Sequence, residues 1–250
     1  MSSVPADQKP AGQESEPQAT SSLLAESAVV SGGYLKRNMI WRTLQPPVAV
    51  FCRLWMRLKV YGLENIDPNR GGLLLINHQS YLDPIFAAVL MDRPVSYLAR
   101  DSLFRVPVLG WLLRRTYVIP ISRESVRAGS IREATDRLQQ GFLVGIFPEG
   151  TRTSGDSVRA FRPGFLAVLR RTNQPVYPVA IAGADNVMPR GAWFIRPRPV
   201  RIIYGPPLTD DEVQKLIAGT DDRECAELAR LRVAECHQQA LKMIGRVSAQ

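Results

Sequence analysis

Six short apolar runs punctuate the chain: GGLLLI (71–76), PVSYLA (94–99), TYVIPIS (116–122), FLVGIF (142–147), VYPVAIAG (176–183) and VRIIYG (200–205). Each has strand length, and FLVGIF is continuous, as in a strand buried on both faces. Helical spacing recurs between them. Pro84 suits a first helical position and opens a helix over 84–91, with Asp83 as its N-cap. Residues 126–140 carry Ile131, Ala134 and Leu138 at helical spacing, with Gly141 as a stop. FLAVLRR (165–171) reads as a helix, and 210–246 as helical with a break near Gly219. The run LFRVPVLGWLLRR is apolar but interrupted by Pro107 and Gly110. Strands alternating with helices predict an α/β fold: a single domain whose mixed, largely parallel central sheet is flanked by helices.

Two segments precede this pattern. Residues 1–33 are rich in Ser, Pro, Gln, Glu and Ala, a composition that does not offset its own ordering entropy and predicts a disordered tail. The tail lacks a basic region followed by an apolar core, so it does not read as a signal peptide. Residues 34–60 then mix aromatic and apolar side chains with Lys36, Arg37, Arg42, Arg53, Arg57 and Lys59, forming an amphipathic helical segment. Pro46 and Pro47 predict a split into two helices. Phe51, Leu54, Trp55 and Leu58 share one face of the second, which either packs on its own domain or lies in a membrane interface.

Charge narrows the partners. The chain of 250 residues has a formal net charge of +9. Most of the positive charge is arginine, which forks onto phosphates and carboxylates. The partner is therefore anionic: nucleic acid, an anionic membrane surface or a phosphorylated substrate. Three cysteines without a Cys-x-x-Cys pair form neither a disulfide framework nor a zinc site, and suit a reducing compartment. Nowhere do eighteen uncharged apolar residues run together as a membrane span would.

Two stretches carry chemistry, both at the C-terminal ends of predicted strands, where open α/β sheets bind ligands. In NHQSYLD, His78 precedes Asp83 across a short loop, so the carboxylate can orient the ring and stabilise its cation, as a general base requires. The other reading is a capped helix start. In FPEGTR, Gly150 permits a close backbone approach beside Glu149 and Thr151, and Arg152 offers a phosphate fork. Its other reading is a surface turn with a Glu–Arg pair. Arg123, after TYVIPIS, is a second candidate fork. A nucleophile elbow, a phosphate-binding glycine loop and a His-Glu-x-x-His metal site are all absent. The client of a base is then a substrate hydroxyl. The other histidine, His237, falls in AECHQQALKM, a polar helix, and reads as structural.

Taken together and in this order, NHQSYLD, FPEGTR and VYPVAI resemble the glycerolipid acyltransferases of the PlsC type, the 1-acyl-glycerol-3-phosphate acyltransferases. The likeness runs from VYGLENI (60–66) to IIYGPPL (202–208). It implies that 61–250 is an acyltransferase domain in which His78 is the base and Asp83 its partner. It further implies that Arg123, Glu149, Gly150, Thr151 and Arg152 bind the acceptor, and that Pro178 lines the site. The implied reaction moves a fatty acyl group from acyl-CoA or acyl carrier protein to the free hydroxyl of 1-acyl-glycerol 3-phosphate, giving phosphatidate. It involves no cofactor, metal or covalent enzyme intermediate. Alternative acceptors are glycerol 3-phosphate, another lysophospholipid or a lyso-aminolipid; a non-catalytic anionic-lipid-binding protein is the remaining reading. Tyr117 and Ser122 depart from the glycine and aspartate that many members carry before the arginine. Three arginine-rimmed apolar stretches, at Trp41–Trp55, LFRVPVLGWLL and RGAWFIRPRP, favour association with an anionic membrane surface, on the cytoplasmic face, over nucleic acid.

Overall fold

The computed structural model describes residues 39–121, 128–189 and 191–246. The expected tail, 1–33, lies outside the described residues, as do Ser122 and Arg123. The first element, α1 (Met39–Trp55), is one helix that runs through Pro46 and Pro47, where the sequence predicts two. Arg42 and Thr43, whose carbonyls lose the amides that proline lacks, are exposed to water. In the same turn, buried Gln45 donates to the carbonyls of Val89 and Met91, each at 2.8 Å, and ties the helix down.

The helix turns a different stripe inward from the Phe51, Leu54 and Trp55 face, for which packing on the domain is one of two readings of the sequence. Val48, Ala49, Cys52 and Met56 meet the core, while Phe51, Leu54 and Trp55 are exposed. Leu58 is buried because the chain turns back there: Arg57 adopts a φ of 45° and the Leu58 amide bonds the Cys52 carbonyl at 3.2 Å.

Seven strands follow: β1 (Lys59–Tyr61), β2 (Gly72–Ile76), β3 (Val95–Arg100), β4 (Ile119–Ile121), β5 (Leu143–Ile146), β6 (Val176–Ala182) and β7 (Arg201–Tyr204). They form one sheet in the order β1-β7-β6-β2-β5-β3-β4. Strands β6 through β4 are parallel; β7 runs antiparallel to β6 and carries β1 parallel to itself. The mixed, largely parallel α/β sheet is the one expected, with β1 added at an edge where the sequence reading continues the amphipathic segment.

The helices are α2 (Asp83–Phe86), α3 (Pro107–Arg115), α4 (Ala128–Gln139), α5 (Leu166–Thr172), α6 (Ala184–Val187), α7 (Asp210–Ala218) and α8 (Asp222–Met243). They cover both sheet faces. Leu74 and Ile76 join one core with Cys52, Phe86 and Tyr204; Leu73 and Leu75 join the other with Leu138, Leu169 and Val233. Helix α3 forms in the apolar run that Pro107 and Gly110 seemed to interrupt. Pro107 is in its first turn. A side chain at Gly110 would strike the Phe104 carbonyl oxygen, so this glycine allows the helix to pack on the turn before it.

The expected helix over 84–91 shortens to α2, and the chain continues as turns to Leu90. For the site, one adjacency matters most. Strands β2 and β5 are paired, with Leu75 opposite Ile146, so the loops leaving their ends emerge side by side.

Candidate active site

Three hydrogen-bonded ties fix the backbone where β2 ends. The Asn77 side chain accepts from the Ile181 amide at 2.7 Å and donates to the Ile181 carbonyl at 2.9 Å, clamping the strand end to β6. One residue on, the His78 amide donates to Glu149 Oε1 at 2.9 Å. The His78 carbonyl in turn accepts from the Thr153 amide at 2.7 Å. His78 is thus held by its own backbone to the loop after β5, before its side chain is considered.

The ring then meets its carboxylate. His78 Nδ1 lies 2.8 Å from Asp83 Oδ2. The same oxygen accepts the amides of Gln79 at 2.6 Å and Ser80 at 2.7 Å. The Asp83 side chain is fully buried and that of His78 is 19% exposed. Asp83 does not cap α2 as expected. The Leu82 carbonyl takes the amides of Ile85 and Phe86, and Pro84 has none to offer, so the carboxylate turns back to the loop.

Burial pushes the Asp83 carboxyl above its usual range, against the His78 hydrogen bond and charge and the two amides. An oxygen already accepting the two backbone amides of Gln79 and Ser80 faces the ring as an acceptor. Nδ1 therefore carries the ring proton, and the lone pair sits on Nε2, which has no protein partner among the described residues. Phe147 lies against the ring, centroids 4.5 Å apart, with Tyr97 behind it at 5.9 Å.

The turn after β5 places the other predicted residues. Gly150 has a φ of +68°, a conformation that favours glycine. Glu149 is buried and makes no ion pair with an arginine among the described residues. Its Oε2 accepts from the Thr153 hydroxyl at 2.6 Å and the Arg159 amide at 3.3 Å. Thr151 is exposed. The Arg152 guanidinium stacks on exposed Tyr81, its carbon 3.5 Å from the ring centroid. Around this centre His78, Asp83, Glu149, Gly150 and Arg152 come together, and Pro178 lies opposite Leu75 in β6. Among the described residues no group of three or more His, Cys, Asp or Glu side chains gathers to hold a metal ion.

Sequence reasoning missed Asn77, Thr153, Gln79 and His237 as parts of this neighbourhood. Gln79 Nε2 reaches the Gly155 carbonyl and His237 Nε2, both at 3.2 Å. His237 is fully buried rather than on a polar helix surface. The spacing of Ala226, Ala229, Val233 and Ala240, all buried, was the available signal that His237 shares their face.

Burial brings the His237 imidazole down from 6.5 to about 4, with Asp156 and Asp185 opposing and Arg246 adding. Below pH 6.5 the unfolded chain gains a proton that the folded chain refuses until about pH 4. This contribution to stability is therefore complete above 6.5 and is lost across that window as pH falls, by roughly 2 kcal/mol at pH 5. His237→Gln keeps an acceptor for Gln79 and should flatten that part of the fall. Urea midpoints of both proteins at pH 7 and pH 5 check this; parallel falls would clear His237 of the effect.

Comparison with known proteins points one way. The family model described as Acyltransferase matches residues 57–182, which include every tie described around His78 except that to His237. A chloroplastic 1-acyl-sn-glycerol-3-phosphate acyltransferase of Brassica napus is 27% identical over 195 residues, covering 73% of this chain and 54% of that protein. The 1-acyl-sn-glycerol-3-phosphate acyltransferase of Pseudomonas aeruginosa is 30% identical over 172 residues, covering 67% and 66%. The chain spans about half the length of the first curated relatives it matches. The crystal structure of the 1-acyl-sn-glycerophosphate (LPA) acyltransferase PlsC from Thermotoga maritima superposes with a TM-score of 0.58 at 25% identity, covering 83% of this chain and 88% of that one.

Proposed function

The chain belongs to the acyltransferase family, and from that premise we propose that it transfers a fatty acyl group from an acyl thioester to the free hydroxyl of 1-acyl-glycerol 3-phosphate, giving phosphatidate. The observation that carries this reading is His78 Nδ1 held at 2.8 Å by a buried carboxylate, with Nε2 left for a substrate. The acceptor hydroxyl gives its proton to Nε2 as its oxygen attacks the thioester carbonyl. The C–S bond then breaks and the imidazolium returns the proton to the departing thiolate. Ester and free thiol leave, and the protein is unchanged. Asp83 stabilises the imidazolium while it lasts and keeps the ring in the useful tautomer.

Within this scheme the turn after β5 divides its labour. Glu149 positions His78 by taking its amide, while Arg152 supplies the fork for the acceptor phosphate, with Gly150 and Thr151 shaping the approach. Arg123, outside the described residues, is assigned to the same phosphate by family likeness. Lipid substrates require a membrane. Among the described residues no helix is long and apolar enough to cross one. We assign attachment to the exposed side chains Phe51, Leu54 and Trp55 of α1, with Arg53 and Arg57 beside them.

The test is thiol release and phosphatidate formation with lysophosphatidate, using long-chain acyl-CoA and acyl carrier protein donors in turn. Glycerol 3-phosphate and phosphate-masked lysolipids serve as rival acceptors. Turnover should require an accessible phosphate, and equal rates with masked acceptors would overturn the acceptor assignment. Arg152→Lys keeps the charge but loses the fork. It should raise KM for lysophosphatidate roughly tenfold while leaving kcat within about a factor of two, as loss of one charge-assisted bond implies. A fall in kcat at constant KM would remove Arg152 from the phosphate site.

A further inference from the structure

The connection between α6 and β7 ends in an arrangement that the acyl-transfer site does not use. Trp193 is 93% exposed and packs its ring against Phe194, centroids 5.9 Å apart. The Trp55 indole donates to the Ile195 carbonyl at 3.1 Å, so the exposed end of α1 adjoins this loop. Phe51, Leu54, Trp55, Trp193 and Phe194 thus gather exposed aromatic and aliphatic surface from two separate elements.

Beside the loop lies an open cavity of about 310 Å³ lined by Asn186, Arg196, Arg198, Pro199, Ile244 and Arg246. Arg246 is compensated by Asp185 at 2.8 Å and by Asp156. Arg196 and Arg198 have no carboxylate within ion-pair distance among the described residues. Arg196 lies over the Phe194 ring, 5.7 Å from its centroid, and guanidinium charges gathered in one recess without a paired carboxylate favour an anion between them. The cavity shares no residue with the His78 loop or the Glu149 turn. Its residues also lie beyond 57–182, the part matched by the family model.

We propose that this cavity binds the phosphate of an anionic glycerophospholipid in the bilayer, while Trp193 and Phe194 enter the headgroup layer beside it. The proposal rests on the reading that the substrates are lipids, and it adds a second lipid site that holds the protein on the surface from which its acceptor comes. Aromatic rings next to arginines suit a membrane interface, where the rings sit at headgroup depth and the guanidinium ions reach phosphate. A nucleic acid would leave the aliphatic end of α1 in water, whereas a bilayer covers it.

The test uses the full chain and sedimentation with vesicles of phosphatidylcholine, alone or mixed with phosphatidate. Wild type should prefer the mixed vesicles. The double variant R196Q/R198Q should lose roughly 30-fold in affinity for them, two arginines at about 1 kcal/mol each. It should bind the neutral vesicles as wild type does. W193A/F194A should weaken binding to both. Inorganic phosphate at matched ionic strength should compete poorly; full displacement by phosphate, with no effect of W193A/F194A, would reduce the site to a general anion pocket and overturn the lipid assignment.

Turnover of a short-chain, water-soluble lysophosphatidate separates this site from the catalytic one. R196Q/R198Q should leave that turnover unchanged, and an equal loss there would place both arginines in the acceptor site instead. If the wild type turns over no acceptor yet binds vesicles as described, the catalytic reading falls and this site stands.

Discussion

His78→Ala lowers kcat by about a thousandfold, within the range of 10² to 10⁴ that a positioned general base contributes. The side chain is partly exposed and its backbone is held by Glu149 and Thr153, neither of which depends on the ring. The loop therefore survives the substitution. Asp83 keeps its Gln79 and Ser80 amides, although burial, already pushing its carboxyl up, acts with less opposition once the ring is gone. Asp83→Asn is the companion variant. Its amide presents either a hydrogen-bearing nitrogen or a weaker acceptor to three N–H donors, so the ring loses its orienting partner while the shape persists. Both variants should melt within a few degrees of wild type and consume little acyl thioester. A His78→Ala protein that retains a tenth or more of the wild-type kcat would show that the proton goes elsewhere.

Glu149→Ala has a different signature, a large loss of stability as well as of activity. The carboxylate is buried and takes three donors, from His78, Thr153 and Arg159. Removing it leaves those donors without partners at about 1–3 kcal/mol each, less than additively within one network. A net loss of 3–5 kcal/mol corresponds to a Tm lower by about 10 °C for a domain of this size. Glu149→Gln should recover part of the Tm, since one amide oxygen can still accept the His78 N–H. The two roles open to this residue differ in which parameter moves. A brace for His78 lowers Tm and kcat together, while a contact with an acceptor hydroxyl alters KM at constant Tm. Thermal melts and kinetics of the same preparations decide between them.

Much of this centre was legible because its chemistry is local in sequence. His78 and Asp83 are five positions apart, and the strand before them is an unbroken apolar run. Glycine at 150 likewise announces a turn. What could not be read locally is what Asp83 does with its oxygens. The sequence shows an aspartate before a proline, a good helix cap; only the folded loop shows that the Leu82 carbonyl has already taken the helix amides. Glu149 misleads for a similar reason. Beside an arginine it looks like a surface pair, yet its partners lie 71 residues upstream, 4 onward and 10 onward. Of the two readings open for the aromatic face of α1, the structure removes packing on its own domain, because Phe51, Leu54 and Trp55 stay exposed. The core instead took the smaller Ala49 and Cys52, leaving the aromatics outside.

The strand order has a consequence for how the chain is made. Strand β5 lies between β2 and β3 although it follows both in sequence, and β6 closes the other side of β2 later still. During synthesis the histidine loop therefore emerges long before either neighbour of its strand. Until then β2 presents two bare edges of unpaired N–H and C=O groups, flanked by apolar faces. Pairing directly with β3 would shut out the strand that carries Glu149, a trap that grows with every residue of delay. Such a topology folds slowly, through contacts distant in sequence. The base can only be set once nearly the whole sheet is present, so partial chains on the ribosome should be inert and prone to aggregate. Catalytic competence then becomes a late checkpoint on folding.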